Sequence, residues 1–573
     1  MALDLVVASS GSPETLVEIE AKLARQTELR CQMRGDGFIV VANTAPRVRL
    51  GEGRGGVFGD LFARRDHHRI ASMTDADGEA IVRSKGERLV REYWGDYLGV
   101  IAGEGGLVRL VRAPFAALTI YLVDLGDTWI AATDVGLLID AGLLSPRIDW
   151  SFVAHFLAYP FHRSRRTGFL GVTEVTSGAR LTLRPGRRPV EESLWSPWDY
   201  VRPMVPNDAA AMLEREVRAC VRTCVEGRRQ VLLELSGGLD SSILAASLWD
   251  TPTQVICVNM ISPSPDGDER LFARAVTERL GLPLQEIALS PRDLDLVAPP
   301  KLRRPRPSAH ALLGAWDEAL TVQASELGVD AFVSGGGGDN VFFNTHGSGP
   351  AADALRGGAI GTWSTAVKDL ARLHGCSVWK AARLSIRRAL TPATLTWRSD
   401  TRFLAGPATA ILLEDHPWLD PPAGVLPGKI DHVRGLMAVQ NYLDGFPRAS
   451  QAPILTPLLS LPIVELCLSI PSWTWIGGGQ DRAVARQAFK ARLPAIVIDR
   501  RAKGNLSGFA GPAFEAARPK LAEHLLGGRL DQAGLIDTAS IRRALEETGP
   551  PKGSDFFRVL QIADVESWAR SWS

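Results

Sequence analysis

The sequence lacks the features that mark secreted, membrane-spanning and nucleic-acid-binding proteins. Its 573 residues include only six cysteines, with no CxxC pair and no zinc-binding spacing, and its net charge is +1. No uninterrupted apolar run approaches the roughly 20 residues of a membrane span, and the opening MALDLVVASS has no basic region before its short apolar run. We therefore expect a cytoplasmic protein with reduced thiols that binds neither membranes nor nucleic acids.

A Walker A phosphate-binding loop is also absent, but another glycine turn lies in the middle of the chain. The apolar run 231–235 is typical of a strand buried on both faces, and a helical pattern follows the turn. Such a turn suits a phosphate chain, because the backbone comes close and the first helical N–H groups point at the anion. Asp240 would repel bare phosphates, so its presence predicts a divalent cation, most simply Mg²⁺. The residues of the turn and helix start that we expect to bind are Ser236, Gly237, Gly238, Asp240, Ser241 and Ser242.

A second glycine turn, Gly335–Gly338 followed by Asp339, comes later in the chain after another apolar run. Between the two turns, strand patterns over 255–260 and 284–289 alternate with a helical pattern over 268–280. This alternation predicts a doubly wound parallel sheet. In such sheets ligands lie beyond the carboxyl ends of the strands, which is where the first turn is predicted to be.

The two turns carry a resemblance to a known family. SGGLDSS resembles the S-G-G-x-D-S-S loop of the ATP-pyrophosphatase superfamily, whose members cut ATP to AMP and pyrophosphate, and SGGGGD is similar to the second loop of the asparagine synthetases. The resemblance implies that Gly335 and Gly337 join the first turn in binding ATP. It also implies that Asp339 and Asp240 hold Mg²⁺ and pyrophosphate. Lys503 is similar to a lysine that reaches the reacting centre of β-lactam synthetases, which implies that it stabilises the oxyanion.

The first 200 residues show short strand patterns separated by Gly and Asp turns. GDYLGV at 95–100, AATDV at 131–135 and FLGVTEV at 169–175 resemble landmarks of the glutaminase domain of class B asparagine synthetases. The resemblance implies an Ntn-hydrolase-like α+β domain over 1–200, followed, after a proline-rich linker at 191–206, by an α/β ATP-pyrophosphatase synthetase domain over 201–573. Residue 2 is Ala where the family needs a cysteine, and a methyl group cannot attack an amide. We therefore expect an inactive glutaminase domain, serving as a structural platform or a docking surface.

Three segments depart from the family pattern. Gly336 stands where asparagine synthetases carry Glu and β-lactam synthetases Tyr. Apolar Pro453–Leu455 stands where asparagine synthetases carry charged residues that help hold free aspartate, which argues against that substrate. The stretch 351–422 is a family-variable insertion with a basic helix over 380–388, interpreted either as a solvated helix face or as the lining of a channel for a long substrate.

Two groups of potential metal ligands are interpreted as structural. Cys220 and Cys224 lie four residues apart on a predicted helix and are most simply core thiols. The run Arg64–Arg69, which contains two histidines, is interpreted as a solvated polar loop rather than a metal site.

Ala2, the SGGGGDN loop and the length are most similar to the lasso-peptide macrocyclases. This resemblance implies that ATP adenylates an Asp or Glu side chain of a leaderless precursor peptide, whose own amine then closes an isopeptide macrolactam. The implied partners are the precursor peptide, a leader peptidase and a leader-binding protein. A β-lactam-type small-molecule amide synthetase and an ammonia-using amidotransferase remain as alternatives. For the general base, His310, His432 and Asp444 remain as candidates.

Overall fold

The computed structural model of the protein describes residues 3–26, 28–202, 208–262, 264–291, 294–308, 311–358, 360–501, 504, 507–547, 549 and 553–572. Its strands are β1 (Leu5–Ser10), β2 (Arg30–Gly35), β3 (Phe38–Ala42), β4 (Val48–Leu50), β5 (Gly55–Gly59), β6 (Phe62–Ala63), β7 (Tyr93–Trp94), β8 (Tyr97–Ala102), β9 (Val108–Arg112), β10 (Tyr121–Asp124), β11 (Thr128–Ala132), β12 (Val172–Glu174), β13 (Ala179–Arg184), β14 (Arg187–Ser193), β15 (Gln230–Glu234), β16 (Gln254–Ile261), β17 (Leu284–Ala288), β18 (Ala331–Val333) and β19 (Ile454–Leu455).

The helices begin and end as follows: α1 (Pro13–Gln26), α2 (Asp75–Arg83), α3 (Glu87–Glu92), α4 (Val135–Asp140), α5 (Trp150–Ala158), α6 (Ala209–Val225), α7 (Leu239–Leu248), α8 (Arg270–Leu280), α9 (Gly314–Leu327), α10 (Gly338–Val341), α11 (Gly349–Gly357), α12 (Ile360–Leu373), α13 (Val378–Leu390), α14 (Pro427–Val439), α15 (Leu461–Ser469), α16 (Ala483–Phe489), α17 (Ala495–Ile498), α18 (Ser507–Leu525), α19 (Arg529–Gln532), α20 (Thr538–Glu546) and α21 (Asp555–Arg570). None of these helices is long and apolar enough to cross a bilayer.

Two six-stranded antiparallel sheets and the small β6–β7 pair account for the β-rich first part of the chain, as predicted. One has the order β12-β10-β11-β1-β3-β2 and the other β14-β13-β9-β8-β5-β4. Strand β1 is buried on both faces. Its alternate side chains point to opposite faces of the sheet, and each face is covered by another layer. Leu5 and Val7 pack against the second sheet, whereas Val6 and Ala8 pack on the helical side. Helices α2 and α3 cover the outer face of the second sheet, which completes four layers.

The helical layer beside β1 is completed by the end of the chain. Leu16 and Ile19 of α1 belong to the same hydrophobic cluster as Val559 and Ile562 of α21. Phe169 also stacks on Trp568 of α21, with ring centroids 5.9 Å apart. The first and last helices of the chain therefore share one core.

The third large sheet is fully parallel, with the order β17-β16-β15-β18-β19. Helix α9 packs on one face through Leu320, and α7 packs on the other through Ile243 and Leu244. The predicted doubly wound sheet is therefore confirmed. The chain moves outward from β15 to β17 and then returns to β18 on the other side of β15, which places the topological switch point between β15 and β18.

The segment 191–206, predicted to link two domains, is packed into the protein over its described residues. Glu191 lies in strand β14, and Trp195 and Trp198 are buried. The Trp195 indole donates to Glu465 Oε1 at 2.8 Å. The segment is held against α15, because the two large aromatic side chains bury apolar area that a solvated segment would expose to water.

A buried ionic cluster joins the antiparallel sheets to the rest of the chain. Glu174 of β12 accepts hydrogen bonds from Arg112, Arg163 and Arg306, each at 2.9 Å. Asp444 accepts from Arg163 at 3.0 Å and contacts Arg304 at 2.5 Å. Four guanidinium groups therefore surround two carboxylates at this boundary.

Three buried histidines lie where α5 meets the 351–422 segment. The His155 and His162 rings are 5.3 Å apart, and His162 and His416 are 6.4 Å apart. Burial lowers the pKa of His155 to about 4 and those of His162 and His416 to about 3. Neither ring nitrogen of His162 has a hydrogen-bond partner among the described residues. The cluster therefore favours neutral imidazoles.

We expect these histidines to make the fold less stable as the pH falls below about 6.5, the ordinary histidine value. Because their pKa values are lower in the folded chain than in the unfolded chain, the neutral histidines contribute their full stability at pH values above the unfolded pKa. This contribution is lost as the pH falls toward the folded pKa values. The melting temperature, measured from about pH 7.5 to about pH 5, should fall less steeply for His162→Phe than for the unchanged protein. Asp96 and Asp353, whose pKa values are raised to about 6 and about 7, act in the opposite direction but equally in both proteins. Equal slopes would contradict the prediction.

Candidate functional site

The two glycine turns meet at the switch point of the parallel sheet. The first turn, residues 235–238, follows β15, and the second turn, residues 334–338, follows β18. A Cβ built on Gly338 would lie 2.6 Å from Asp240 Cβ, and one on Gly335 would lie 3.1 Å from Ser241 N. The two turns therefore pack directly on each other, and glycine at 338 lets the second turn approach Asp240.

The first turn leads into α7, whose N-terminus faces a cavity of about 610 Å³. Ser236, Gly238, Asp240 and Ser241 line this cavity, and the Ser236 and Ser241 hydroxyls are 3.2 Å apart. The remaining two predicted residues lie behind the turn. Gly237 has φ 72° and packs on α8, whereas the Ser242 hydroxyl is buried and donates to the Gly238 carbonyl at 2.7 Å.

The second turn contributes Gly335, Gly336, Gly337 and Asp339 to the same cavity. Gly337 has φ 87°, in the left-handed region that favours glycine, and caps the short helix α10. Gly336 is different, because a Cβ there would meet no atom closer than 3.6 Å. The backbone does not require glycine at 336, and the missing side chain leaves space in the cavity.

Arg482 lies between the two predicted metal-binding carboxylates. Its Nη1 donates to Asp240 Oδ2 at 3.1 Å and to Asp339 Oδ1 at 2.5 Å, and its Nη2 donates to Asp481 Oδ2 at 3.3 Å. Burial opposes the charged form of Arg482, but Asp240 and Asp339 outweigh it and raise the pKa of the guanidinium. One cation thus contacts carboxylates from two different strand ends.

The position of Arg482 is fixed by its surroundings. The residue precedes α16 with φ 52°, an uncommon conformation for a side chain of this size. Arg486, one turn later, donates to Asp481 Oδ1 and to the Ile498 carbonyl, both at 2.6 Å. Arg482 was given no role in the sequence analysis. The only local signal was a basic residue directly before a helix start.

Arg500 and Arg501 form a second basic wall of the cavity. Arg500 donates to Glu269 Oε1 at 2.7 Å and to the Gly237 carbonyl at 3.3 Å. Its guanidinium also lies 3.9 Å from the centre of the Phe272 ring. Lys503 lies outside the described residues, as do Ala2 and His310. The described residues Arg501 and Gly504 line the cavity.

The other two candidates for the general base lie away from the cavity. His432 is buried, and its Nε2 lies 3.0 Å from the Val341 carbonyl. Asp444 belongs to the ionic cluster, where, against the effect of burial, Arg163 and Arg304 hold its pKa well below the usual range. Neither can accept a proton from a substrate in the cavity. His346, which sequence reasoning missed, does line it.

Two segments that the sequence analysis considered in connection with the substrate are placed elsewhere. Ile454 and Leu455 form β19, the edge strand beside β18, and line a separate cavity of about 70 Å³. No described residue of 351–422 lines the larger cavity. Helix α13 forms where predicted, but it packs with α11 and α12. The apolar end of the main cavity is instead formed by Leu313, Trp316 and Phe509, with the two aromatic rings 4.4 Å apart.

Comparison with known proteins gives the class. Residues 212–570 match the family model described as asparagine synthase. The chain belongs to the asparagine synthase family. Membership implies a ligase that uses ATP to form amide bonds. The two glycine turns and the paired carboxylates lie within the matched residues.

Other similarities are distant. The chain is 25% identical over 202 residues to 1-deoxy-D-xylulose 5-phosphate reductoisomerase of Kitasatospora griseola, a match that covers 32% of this chain and 50% of that protein. The chain thus spans about half the length of that curated relative. The allosteric regulatory enzyme of purine biosynthesis is 8% identical, with 52% of this chain and 82% of that one covered. Glutamine phosphoribosylpyrophosphate amidotransferase from B. subtilis is 9% identical, with 58% and 90% covered. Both superpositions have a TM-score of 0.23 and carry no argument about fold.

Proposed function

We propose that this enzyme is a lasso-peptide macrocyclase that forms an isopeptide bond within a leaderless precursor peptide. The observation that carries the ATP-dependent step is the convergence of Asp240 and Asp339 on Arg482 beside the first turn. The substrate's Asp or Glu carboxylate attacks the α-phosphorus of ATP, and pyrophosphate leaves. The peptide's N-terminal amine then attacks the activated carbonyl carbon, AMP leaves, and the amine gives up a proton.

The donor set fits Mg²⁺. A single cationic nitrogen already reaches both Asp240 and Asp339 in this structure, and carboxylate oxygens are the ligands that Mg²⁺ prefers. When bound, Mg²⁺ would neutralise charge on the β- and γ-phosphates. The Arg482 side chain lies beside the proposed Mg²⁺ position, so its guanidinium can turn from Asp240 and Asp339 to the departing pyrophosphate.

The roles of the other described residues are assigned from their positions in the cavity, and the role of Lys503 rests on the resemblance to β-lactam synthetases. The backbone of the first turn and the start of α7 bind phosphate oxygens. Arg500, which contacts the carbonyl of Gly237 in the first turn, adds positive charge beside these groups. In this proposal Lys503 stabilises the oxyanion of the reacting carbonyl, and His346 takes the amine proton.

The four-layered first part of the chain supports an Ntn-hydrolase-like fold without its nucleophile, since residue 2 is Ala. We propose that it serves as a platform for a cytoplasmic enzyme. The proposed partners are the precursor peptide, a leader peptidase and a leader-binding protein.

A small-molecule amide synthetase of the β-lactam type is the second candidate. It is favoured by the placement of 351–422 away from the cavity, because that segment then provides no channel for a long substrate. The open space at Gly336 favours instead the macrocyclase, whose peptide substrate is the larger of the two. The two candidates differ in the carboxylate that they activate.

ATP–pyrophosphate exchange with Mg²⁺ separates these candidates. The enzyme would be offered free aspartate with ammonia, small β-amino carboxylates, and leaderless peptides with Asp or Glu at the seventh to ninth position. Exchange only with a peptide that also loses one water by mass supports the macrocyclase. Exchange with a small carboxylate alone would reject it, and no exchange with any of them would reject both.

Filling the space at Gly336 should block the large substrate selectively. Gly336→Tyr is expected to fold, because a Cβ fits there, but to lower peptide cyclisation by about 100-fold, comparable with losing one transition-state contact. Gly336→Ala is the matched control and should keep most of the activity. Cyclisation rate and melting temperature would be measured for both. An active Gly336→Tyr enzyme would show that the peptide does not use this space.

A further inference from the structure

A histidine from the first part of the chain meets a glutamate and a cysteine on helix α6. His67 lies in the turn that follows β6, and Glu216 and Cys220 lie four residues apart, on one face of α6. Their ligand atoms all lie within 4.8 Å of one another. The three groups that metals prefer in mixed sites, imidazole, carboxylate and thiolate, therefore face one point.

The distances are those of long, weak hydrogen bonds and are also close to those expected around a metal ion. His67 Nε2 is 3.4 Å from Glu216 Oε1, and Cys220 Sγ is 3.8 Å from His67 Nδ1 and 3.9 Å from Glu216 Oε1. Tetrahedral Zn²⁺ with bonds of about 2.0 Å to N and O and about 2.3 Å to S separates its ligands by about 3.3 to 3.5 Å. A contraction of a few tenths of an ångström and a small turn of the imidazole would complete the set.

The backbone of the turn directs the two neighbouring histidines differently. His67 has φ 59°, in the left-handed region, and its side chain faces α6. His68 is exposed and pairs with Asp66. A strained residue of this kind costs about 1 kcal/mol or more, which is consistent with a required position for the His67 ring.

The three side chains differ in how far they are exposed to solvent. Cys220 is fully buried, whereas the His67 and Glu216 side chains are 14% and 26% exposed. Water can therefore reach the site on one side only. This suits three protein ligands plus a water molecule in the fourth position.

We propose that His67, Glu216 and Cys220 bind one Zn²⁺ ion that joins the 64–69 turn to helix α6. Binding breaks the S–H bond of Cys220, forms the Zn–S bond and releases one proton to solvent. The ion links the antiparallel sheets to the parallel-sheet part of the chain. It lies apart from the ATP cavity, none of whose lining residues belongs to it.

The test is metal binding by the full-length chain carrying no histidine tag. After equilibration with Zn²⁺ and removal of free metal, elemental analysis should find one Zn²⁺ per chain, and Co²⁺ should give the absorption of a thiolate–cobalt bond. His67→Gln and Cys220→Ser should lose both signals. The matched controls His68→Gln and Cys224→Ser change the adjacent histidine and the next cysteine on α6, and they should keep both.

The unchanged protein decides the outcome even if a variant fails to fold. Less than a stoichiometric amount of Zn²⁺ in that protein would overturn the proposal. Retention of the cobalt–thiolate absorption in Cys220→Ser would overturn it as well. Circular dichroism of each variant separates a lost ligand from a lost fold.

Discussion

Asp240→Asn abolishes ATP–pyrophosphate exchange and leaves the fold intact: this is the expected result for the residue at the centre of the site. The amide keeps the shape of the side chain and one acceptor for Arg482 Nη1, which lies 3.1 Å from Oδ2. It removes the charge that would hold Mg²⁺. We expect exchange to fall by at least about 10²–10³-fold, the scale of losing one major electrostatic contribution to a transition state.

Asp339→Asn should behave in the same way, because its carboxylate meets the same guanidinium. Asp268→Asn is the matched control, since Asp268 is an acidic residue close to the cavity that pairs with Arg270 instead of lining it. Exchange rates and melting temperatures would be measured for all three variants. An Asp240→Asn enzyme that retains more than about a tenth of the exchange rate would contradict the metal assignment.

Asp444→Asn should have the largest effect on stability. The unchanged carboxylate accepts hydrogen bonds from Arg163 and Thr119 and contacts Arg304. The substitution leaves Glu174 to compensate the cluster, and Glu174 contacts only three of its four guanidinium groups, because Arg304 contacts Asp444. Breaking a buried ion pair by removing one partner costs about 3–5 kcal/mol, because the remaining charge is buried without compensation.

Thermal unfolding of Asp444→Asn should therefore show a melting temperature lower by roughly 5–10 °C. Glu286→Gln is the control, because its pair with Arg274 is more exposed, and such surface pairs contribute about 0–1 kcal/mol. Equal melting temperatures for the two variants would show that the buried cluster does not hold the two parts of the chain together.

Local pattern was sufficient to predict the elements that build the site. The strand at 231–235, the glycine turn and the helix starting near Asp240 could be predicted because apolar runs, glycines and helix-start residues act over a few positions. The switch point followed from the alternation of strands and helices. Both turns were therefore placed at one edge of one sheet before their contact was observed.

The missed features depend on residues far apart in sequence. Arg482 lies 242 residues from Asp240 and 143 from Asp339, and no local pattern indicates that they meet. Asp444 is 281 residues from Arg163, so it could be listed as a base but not recognised as part of an ionic cluster. Trp195 and Trp198 were a usable signal that the segment 191–206 is packed, since two large aromatic side chains suggest burial more strongly than the neighbouring prolines suggest exposure.

The core shared by the first and last helices has a consequence for synthesis on the ribosome. Val6, Leu16 and Ile19 lie in a cluster that α21 completes with Val559 and Ile562. During translation α1 and α4 can cover part of the apolar side of the first sheet early, but the helical layer stays incomplete until α21 emerges, although domains usually fold in order from the N-terminus. Chaperone demand for this protein should therefore depend on the time between the synthesis of α1 and that of α21.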